Sequence, residues 1–410
     1  MQRIGKATHA KTRAHNERLI LGTIYDHGPI SRAEVARWTG LTRTTVSDVV
    51  SGLLREGLAR EIGRGPSTGG KAPIMLEVTD DARHLIGLDL GEKVFRGAIV
   101  NLRGEIVRAI EVPFDDRDGA DALARVYSLV DQLLAVTDRA ILGIGIGTAG
   151  LIDTTIGTVL QAVNLDWRDV PLGTLLRRHT GLPVYVANDS QATALAEHVF
   201  GRPRTSNLVV VKVGTGIGAG IILDGNLFQG DGYGAGEIGH VTVRPNGLQC
   251  RCGRLGCLET VASSRAILDH LATMQGAPAS LTDAVAAARA GNRAVLRVVR
   301  QSGEAVGLAV AWLVSTLNVE RVVLVGSVAE FGEPWLEAVR DTMRRSALPL
   351  LADPTSVEIG SLGDDGVVLG ASALLMTREL GLSLSTPGQN APVEADSEAD
   401  TEAALEAAGA

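Results

Sequence analysis

The chain has 410 residues, more than one domain usually holds, so at least two domains are expected. Aromatic residues make up 3%, so the core must consist of Val, Leu, Ile and Ala, and no apolar run approaches the roughly 20 residues that span a bilayer. Residues 1–80 hold twelve Lys and Arg against eight Asp and Glu, although the whole chain has a net charge of −8. Because residues 1–80 are basic while the chain as a whole is acidic, only this N-terminal segment is expected to bind an anionic polymer. The N-terminus lacks the apolar segment of a secretion signal, so a cytoplasmic location is expected.

Composition divides the chain into three parts. Residues 1–82 form a basic head that ends in a stretch rich in Gly and Ser. Residues 83–385 form a body in which strand-like and Ala-rich helical stretches alternate, as they do in α/β domains. Residues 386–410 hold six acidic and no basic residues and almost no bulky apolar ones, so a disordered acidic tail is expected.

The head has the pattern of a helix-turn-helix. Apolar residues at helical spacing predict a first helix between residues 16 and 26. Ser31, with Glu34 three residues later, predicts a capping box for a short second helix that stops at Gly40. Thr42 then caps a third helix that is apolar on one face. A helix, a glycine turn and a second capped helix are typical of DNA-binding domains.

The third helix leaves a polar face in its first turns, where side chains can reach base edges. Segments 58–62 and 74–78 are predicted to pair as strands, and the loop between them would form a wing over phosphates. The residues predicted to contact DNA are Arg43, Thr44, Thr45, Ser47, Arg64 and Lys71. A three-helix domain that binds protein is the alternative, but the net positive charge favours a winged helix-turn-helix.

Two similar strand–turn–strand segments occur in the body, one from Ile86 and one from Val209. In both, a Gly turn precedes an apolar run that ends in Asn or Asp followed by a Gly. This repeat suggests a duplicated α/β fold with a cleft between its halves, and chance similarity is the alternative.

Three cysteines and a histidine lie close together in the body. His240, Cys250, Cys252 and Cys257 offer one imidazole and three thiolates, a donor set that selects zinc. Four protein ligands leave no open coordination position, so a structural Zn²⁺ is expected rather than a catalytic one. An odd, clustered set of cysteines also argues against a disulfide framework. Buried cysteines without a metal are the alternative.

The same stretch resembles the ROK family of repressors, open reading frames and sugar kinases, whose hallmark is Gly-x-x-Gly-His followed by Cys-x-Cys-Gly-x-x-Gly-Cys-x-Glu. Every place of this pattern is filled, by Gly236, Gly239, His240, Cys250, Cys252, Gly253, Gly256, Cys257 and Glu259. The resemblance runs from about residue 12 to 382. It implies an actin-like domain, that is, a duplicated ribonuclease H-like α/β fold with two lobes and a sugar in the cleft.

The resemblance also implies which residues bind the sugar: Asn164, Asn188, Asp189, Glu237, His240 and Glu259. Carboxylates and amides suit the hydroxyls of a sugar because they accept or donate hydrogen bonds in pairs. Helix capping is the alternative role for Asn188 and Asp189, and a solvated face is the alternative for Glu237 and Glu259. His240 would serve the metal with one nitrogen and the sugar with the other.

In kinases of this family, the residue that matches Asp189 is the general base, and two Gly-rich turns hold the phosphates of ATP. The second turn is present here as a possible phosphate loop, Gly214, Thr215 and Gly216. The first turn departs from the family's Asp-x-Gly-Gly-Thr and reads Asp89-Leu90-Gly91-Glu92-Lys93, with a carboxylate where phosphates would approach. Phosphoryl transfer depends on electrostatics, so a body that binds sugar without catalysis is expected.

These features predict a sugar-responsive transcription regulator. A homodimer, or a dimer of dimers, would bind roughly palindromic operator DNA, and sugar would relieve repression. Xylose, glucose, an N-acetylated hexosamine and a phosphorylated sugar all suit the same pocket residues. The alternative is an ATP-dependent sugar kinase with an accessory DNA-binding head.

Overall fold

The protein is described by a computed structural model that covers residues 9–66, 72–114, 119–203, 205–274 and 277–382. These residues fall into two compact units, one that ends at Val78 and one that starts at Thr79. Lys71 of the predicted wing and the predicted acidic tail lie outside the described residues. Within the described ranges, no helix combines the length and the apolar character that crossing a bilayer requires.

The described part of the first unit consists of helices and a small antiparallel sheet. Its helices are α1 (His9–His27), α2 (Arg32–Thr39) and α3 (Arg43–Arg55), and its strands are β1 (Ile30–Ser31), β2 (Ala59–Arg64) and β3 (Ile74–Val78). Strand β3 lies between β1 and β2 and is antiparallel to both. The predicted pairing of the two segments after the third helix is thus confirmed, with one more short strand added from the α1–α2 connection.

Two caps position the second and third helices. The Ser31 amide donates to Glu34 Oε2 at 2.8 Å, and Ser31 Oγ accepts from the Glu34 amide at 3.3 Å, which confirms the predicted capping box. Thr42 Oγ1 accepts from the Thr45 amide at 3.2 Å and starts α3. Gly40 between the helices has φ +67°, a left-handed conformation that suits glycine. Helix α3 then turns Val46, Val50 and Leu53 inward.

The second unit has two lobes, each built on a five-stranded sheet. The first lobe contains β4 (His84–Leu90), β5 (Val94–Val100), β6 (Ile106–Pro113), α4 (Gly119–Ala135), β7 (Ile141–Thr148), β8 (Leu151–Asp153), β9 (Thr158–Ala162), β10 (Trp167–Val170), α5 (Leu172–Thr180), β11 (Val184–Asn188) and α6 (Asp189–Val199). The second lobe contains β12 (Leu208–Val213), β13 (Ile217–Leu223), β14 (Asn226–Phe228), α7 (Glu259–Ala262), α8 (Ser264–Ala272), α9 (Leu281–Arg289), α10 (Arg293–Leu317), β15 (Arg321–Val325), α11 (Glu333–Ser346), α12 (Pro349–Ala352) and β16 (Ser356–Ile359). The last helix, α13 (Gly366–Leu380), returns to the first lobe and packs against its strands β4 and β7.

The two large sheets share one topology. Their strand orders are β11-β7-β4-β5-β6 and β14-β13-β12-β15-β16, so the first strand of each set is central. In both, the first three strands form an antiparallel meander, and the fourth and fifth run parallel to the first. The repeated segments at Ile86 and Val209 are the first hairpins of these sheets. The predicted duplicated α/β fold is confirmed. Strands β8, β9 and β10 form a separate small sheet on the first lobe.

Helices α6 and α13 cross where the two lobes meet. A Cβ atom at Gly370 would lie 1.7 Å from the Ala192 carbonyl oxygen, so only glycine permits this close approach. Helix α6 packs against β12 and β13 of the second lobe, although it directly follows β11 of the first. The start of α6 is therefore held at the junction of the lobes, at the carboxyl end of a parallel strand, where α/β sheets commonly bind ligands.

Candidate functional site

Asn188 and Asp189 lie at the start of α6. Asn188 caps the helix, because its Oδ1 accepts from the amides of Ser190 and Gln191 at 2.9 and 3.3 Å. Its Nδ2 donates to the Gly150 carbonyl at 3.0 Å, so most of the hydrogen-bonding capacity of this amide is used within the protein. Asp189 Oδ1 accepts from the Ser190 amide at 2.8 Å. These bonds fix the direction in which the Asp189 carboxylate points.

A lysine of the second lobe contacts the same carboxylate. Lys212, the last residue but one of strand β12, donates from its Nζ to Asp189 Oδ2 at 2.5 Å. Lys212 was not among the site residues predicted from the sequence. The sequence nevertheless contained a sign of its importance, since one charged residue interrupts the apolar strand Leu-Val-Val-Val-Lys-Val. Charged residues are almost never buried without a partner, so a lone lysine in such a strand points to an anion opposite.

The other acidic residues belong to the second lobe. Glu237 precedes the short 3-10 turn Ile238–His240, and Glu259 begins α7. Glu259 Oε2 accepts from the Ile217 amide at 3.3 Å, directly after the Gly214–Gly216 turn. His240 Nε2 lies 4.0 Å from Glu237 Oε2, so the imidazole faces the acidic side chains with this nitrogen.

Electrostatics link these residues across the two lobes. Burial raises the pKa of Glu237, His240 opposes this, and the carboxylates of Asp189 and Glu259 raise it further. Burial likewise raises the pKa of Glu259, and His240 again has the opposite effect. Charges act on one another in this way only over short distances, so we group Asp189, Glu237, His240 and Glu259 and call them the acidic cluster. Confined, partly desolvated carboxylates of this kind are typical of functional sites.

Asn164 lies on a separate element of the first lobe. It occupies the 3-10 turn Val163–Leu165 that connects β9 and β10. Its side chain is half-buried and makes no hydrogen bond to any other described residue. The neighbouring Trp167 anchors this turn, because it is buried and its Nε1 donates to the Gly119 carbonyl at 2.8 Å. The amide of Asn164 is thus held on a fixed support with its hydrogen-bonding groups available.

His240, Cys250, Cys252 and Cys257 form a cluster that could hold a metal ion. Their donor atoms all lie within 4.8 Å of one another. Cys250 Sγ lies 3.6 Å from His240 Nδ1, and the Sγ atoms of Cys252 and Cys257 are also 3.6 Å apart. Tetrahedral zinc with bonds of about 2.3 Å separates its sulfur ligands by about 3.8 Å, so these side chains fit such an ion. Burial raises the pKa of Cys257 to about 12, so this thiol keeps its proton unless a cation displaces it.

The loop that carries the cysteines is folded tightly around a glycine. Gly256 has φ +70°, and a Cβ atom there would lie 1.7 Å from the Arg244 carbonyl oxygen. The amides of Val243 and Arg244 both donate to the Gly256 carbonyl, at 2.9 and 3.1 Å. This turn places Cys257 beside His240, whose carbonyl lies 3.4 Å from the Cys257 Sγ. Nδ1 of His240 therefore faces the cysteines while Nε2 faces Glu237.

The two Gly-rich turns face each other across the lobes. The first turn, between β4 and β5, carries Glu92, and the guanidinium of Arg265 on α8 lies 3.0 Å from its carboxylate. The sequence did not indicate a partner for Glu92 from the other lobe, and the structure shows an arginine there. The Gly214–Gly216 turn is closed by a hydrogen bond of 2.9 Å from the Gly214 amide to the Gly216 carbonyl. An ion pair thus joins the first turn to α8 of the other lobe.

The first unit exposes the polar face expected of a recognition helix. Arg43, Thr44 and Ser47 are exposed at the start of α3, and Thr45 is half-buried with its hydroxyl 2.9 Å from that of Thr42. Arg64 is exposed at the end of β2, next to the predicted wing. The arrangement is that of a winged helix-turn-helix.

The fold and these sites define a duplicated, actin-like α/β protein that carries an acidic cluster, a cysteine–histidine cluster and an additional helix-turn-helix unit. Residues 85–378 match the family model described as ROK family. The chain therefore belongs to the ROK family and is one of its transcriptional regulators.

Known relatives support this assignment. The chain is 34% identical over 387 residues to a protein named xylose repressor from Caldicellulosiruptor bescii, a match that covers 90% of this chain and 97% of the relative. It is 35% identical over 317 residues to a glucokinase of Halalkalibacterium halodurans, but that match covers only 72% of this chain. A crystal structure described as a ROK family transcriptional regulator, a homologue of E. coli MLC protein, matches 92% of this chain and 98% of its own with a TM-score of 0.80 and 28% identity. The repressors are similar over nearly the whole chain, whereas the kinase leaves more than a quarter of it unmatched.

Proposed function

We propose that the chain is a sugar-responsive transcriptional repressor whose affinity for an operator changes when a sugar binds between the two lobes. One observation carries this proposal. Carboxylates from both lobes meet in the acidic cluster, and the same chain carries a helix-turn-helix unit. A sugar that binds carboxylates of both lobes favours one lobe arrangement over others, which gives it a means of acting on the rest of the molecule.

The sugar would be bound by Asn164, Asn188, Asp189, Glu237, His240 and Glu259. Asp189 and Glu259 are already oriented by backbone amides, so little conformational freedom is lost when they accept sugar hydroxyls. Asn188 has a largely structural part in this scheme, because it caps α6 and thereby directs its neighbour Asp189. Xylose is the first sugar to test, since a similar protein over nearly the whole chain is named a xylose repressor.

A structural Zn²⁺ would occupy the cluster of His240, Cys250, Cys252 and Cys257. The donor set and its spacing support zinc over harder ions. The ion would keep the cysteine loop folded and hold the His240 ring in the orientation in which Nε2 faces Glu237. Metal content and sugar affinity are therefore linked through one histidine.

Operator DNA would be bound by Arg43, Thr44, Thr45 and Ser47 in the major groove, with Arg64 and Lys71 of the wing on the phosphates. A homodimer would present two such units to a roughly palindromic site, and a dimer of dimers is the larger arrangement of the same kind. Binding to operator DNA would require the protein to be in the compartment of the chromosome, the cytoplasm.

Two features support a regulator over a kinase, in spite of the phosphate-loop turn Gly214, Thr215 and Gly216. Glu92 of the first turn is held in an ion pair with Arg265, and its carboxylate would repel phosphates that approach this turn. The Asp189 carboxylate, which would have to take a proton from the sugar in a kinase, is bonded to the Lys212 ammonium. Asp189 would therefore serve as a sugar ligand and not as a general base.

The proposal is tested by calorimetry of the full chain against a panel that starts with xylose and includes glucose, N-acetylglucosamine and glucose 6-phosphate. We expect one sugar to bind, and Asp189→Asn to weaken its binding by about 10- to 100-fold, because a charge-assisted hydrogen bond is lost. Asp224→Asn is the matched control, since Asp224 lies exposed in the β13–β14 turn. Sugar-dependent ATP turnover by the wild-type chain would instead establish the kinase.

A further inference from the structure

Lys212 is the residue that the proposed function does not account for. It lies on β12 between Val211 and Val213, both of which are fully buried. Its side chain reaches out of the second lobe to the carboxylate of Asp189 in the first. The charge is thus placed at the junction of the lobes, where the Lys212 side chain is half-buried.

A second carboxylate, that of Asp89 near the carboxyl end of β4, lies close to this ion pair. Asp89 is paired in register with Gly147 on β7, and a Cβ atom added at Gly147 would lie 3.8 Å from the Asp189 Cα atom. Burial alone would lower the pKa of Lys212, but the carboxylates of Asp189 and Asp89 outweigh it and raise this pKa above its ordinary value. Burial raises the pKa of Asp89 to about 6, and Lys212 is the strongest influence in the opposite direction. Asp189, Arg96 and Asp364 also act on Asp89, but more weakly.

Two carboxylates that face each other repel unless a cation lies between them. Paired carboxylates of this kind are the ligands that hard divalent cations such as Mg²⁺ prefer. In this chain an ammonium group provides the positive charge, and its three N–H donors suffice for both carboxylates.

We propose that Lys212 is a built-in cation that takes the place of a divalent metal ion between Asp89 and Asp189, and that it positions Asp189 for sugar binding. The sugar site is consequently independent of divalent metal. The role of Asp189 as a sugar ligand rests on the function proposed above, but the exclusion of the metal does not. Lys212 is a positioning residue, since it acts on the sugar through Asp189.

The test is a double-mutant cycle on the zinc-loaded full chain with Lys212→Met, Asp89→Asn and both together. Lys212→Met leaves two uncompensated carboxylates, so we expect sugar affinity to fall by about 10- to 100-fold. Adding Asp89→Asn to it removes one of those carboxylates, so we expect most of the affinity to return. If Lys212 served only to pack the strand, the additional substitution at Asp89 would not restore the sugar affinity. Failure of the second substitution to restore affinity would therefore overturn the proposal.

Mn²⁺, followed by electron paramagnetic resonance, gives a second measurement that needs no sugar. We expect the wild-type chain to leave Mn²⁺ free, Lys212→Met to bind one ion, and the double variant to bind none. Binding of Mn²⁺ by the wild-type chain at this place, shown by its loss in Asp89→Asn, would contradict the proposal. If no sugar binds the wild-type chain, the proposed function fails while the Mn²⁺ titration still decides the role of Lys212.

Discussion

At the scale of single residues, Cys252 offers a direct test of the metal cluster because it is exposed, whereas Cys250 and Cys257 are buried. Its replacement by serine costs little packing but removes one thiolate. We expect Cys252→Ser to retain well under one zinc per chain after dialysis against a mild chelator, as measured by atomic emission. Its sugar affinity should also fall, because His240 loses its fixed orientation.

Leu255→Ser serves as the matched control for this substitution. Leu255 is exposed on the same loop and contributes no donor atom, so this variant should keep its zinc. If Cys252→Ser keeps as much zinc as the control, the four-residue ligand set is wrong.

The raised pKa of Asp89 predicts how the stability of the protein depends on pH. Its pKa is raised from 3.8 to about 6 in the folded protein, so the folded state holds this proton more tightly than the unfolded state. The stability that the proton contributes is complete below the unfolded pKa and is lost as pH rises through about 6. We therefore expect the melting temperature of Asp89→Asn, relative to wild type, to rise between pH 4 and pH 7. A difference between the two that does not change with pH would contradict the raised pKa.

The sequence predicted some residues of the sites but not all of their charged partners. The cysteine–histidine set and the acidic residues were predictable, because both follow short motifs whose spacing is fixed by the chemistry of the site. The partners of Glu92 and Asp89 were not, because Arg265 and Lys212 lie more than a hundred residues away and come from the other lobe. Only the fold brings these charges together. The isolated lysine in an apolar strand was the single local sign of such a pairing.

At the scale of elements, the capping box at the start of α2 orients the helix-turn-helix. We expect Ser31→Ala to destabilise α2 by about 1 kcal/mol, because one bond to a helix amide and one orienting partner of Glu34 are lost. Amide hydrogen exchange of α2 in the full chain measures this effect. Ser51→Ala is the control, since Ser51 is exposed on α3 and, among the residues that the structure describes, its hydroxyl bonds only to the Ser47 carbonyl.

The same cap has a defined pH dependence. Hydrogen bonds from the Ser31 side chain and amide lower the pKa of Glu34 below its ordinary value. The stability of the cap is therefore present above the unfolded pKa of 4.5 and is lost as pH falls through the lower folded value. Equal protection of α2 in Ser31→Ala and wild type at neutral pH would show that the cap contributes nothing.

The exposed start of α3 leads to a prediction about DNA binding. Arg43 is the first residue of the helix and is exposed, so it is placed to contact base edges. We expect Arg43→Ala to weaken binding to a selected operator by about 5- to 150-fold, with a smaller effect on unrelated DNA. Arg55→Ala, at the far end of the same helix, is the control and should change binding less. Fluorescence anisotropy with DNA obtained by in vitro selection measures both.

Element types were more predictable than element bounds. The second and third helices begin where their caps indicated, because a side chain that bonds to a helix amide marks a specific residue. The first helix extends from His9 to His27, well beyond the predicted residues 16 to 26, because its first turns lack the apolar periodicity on which that prediction relied. Strand β1 was missed, since two residues are too few for a periodic pattern.

At the scale of the whole molecule, a weak internal repeat in the sequence correctly predicted that the fold is duplicated. Two hairpins, at Ile86 and Val209, were visible in the sequence, yet each proved to belong to a five-stranded sheet of identical topology. The parallel strands of each sheet are separated by helices, so no short-range pattern relates them. The junction of the lobes is likewise a long-range feature, because it depends on the close crossing of α6 and α13 at Gly370.

The central claim is that sugar binding and operator binding are coupled in one chain. The most direct measurement is the dissociation constant for a selected operator in the absence and presence of saturating sugar, identified from the panel by calorimetry. We expect the sugar to weaken operator binding by about 5- to 150-fold, and the operator to weaken sugar binding by the same factor, because coupling is reciprocal. An operator affinity that stays the same when the sugar site is saturated would contradict the account.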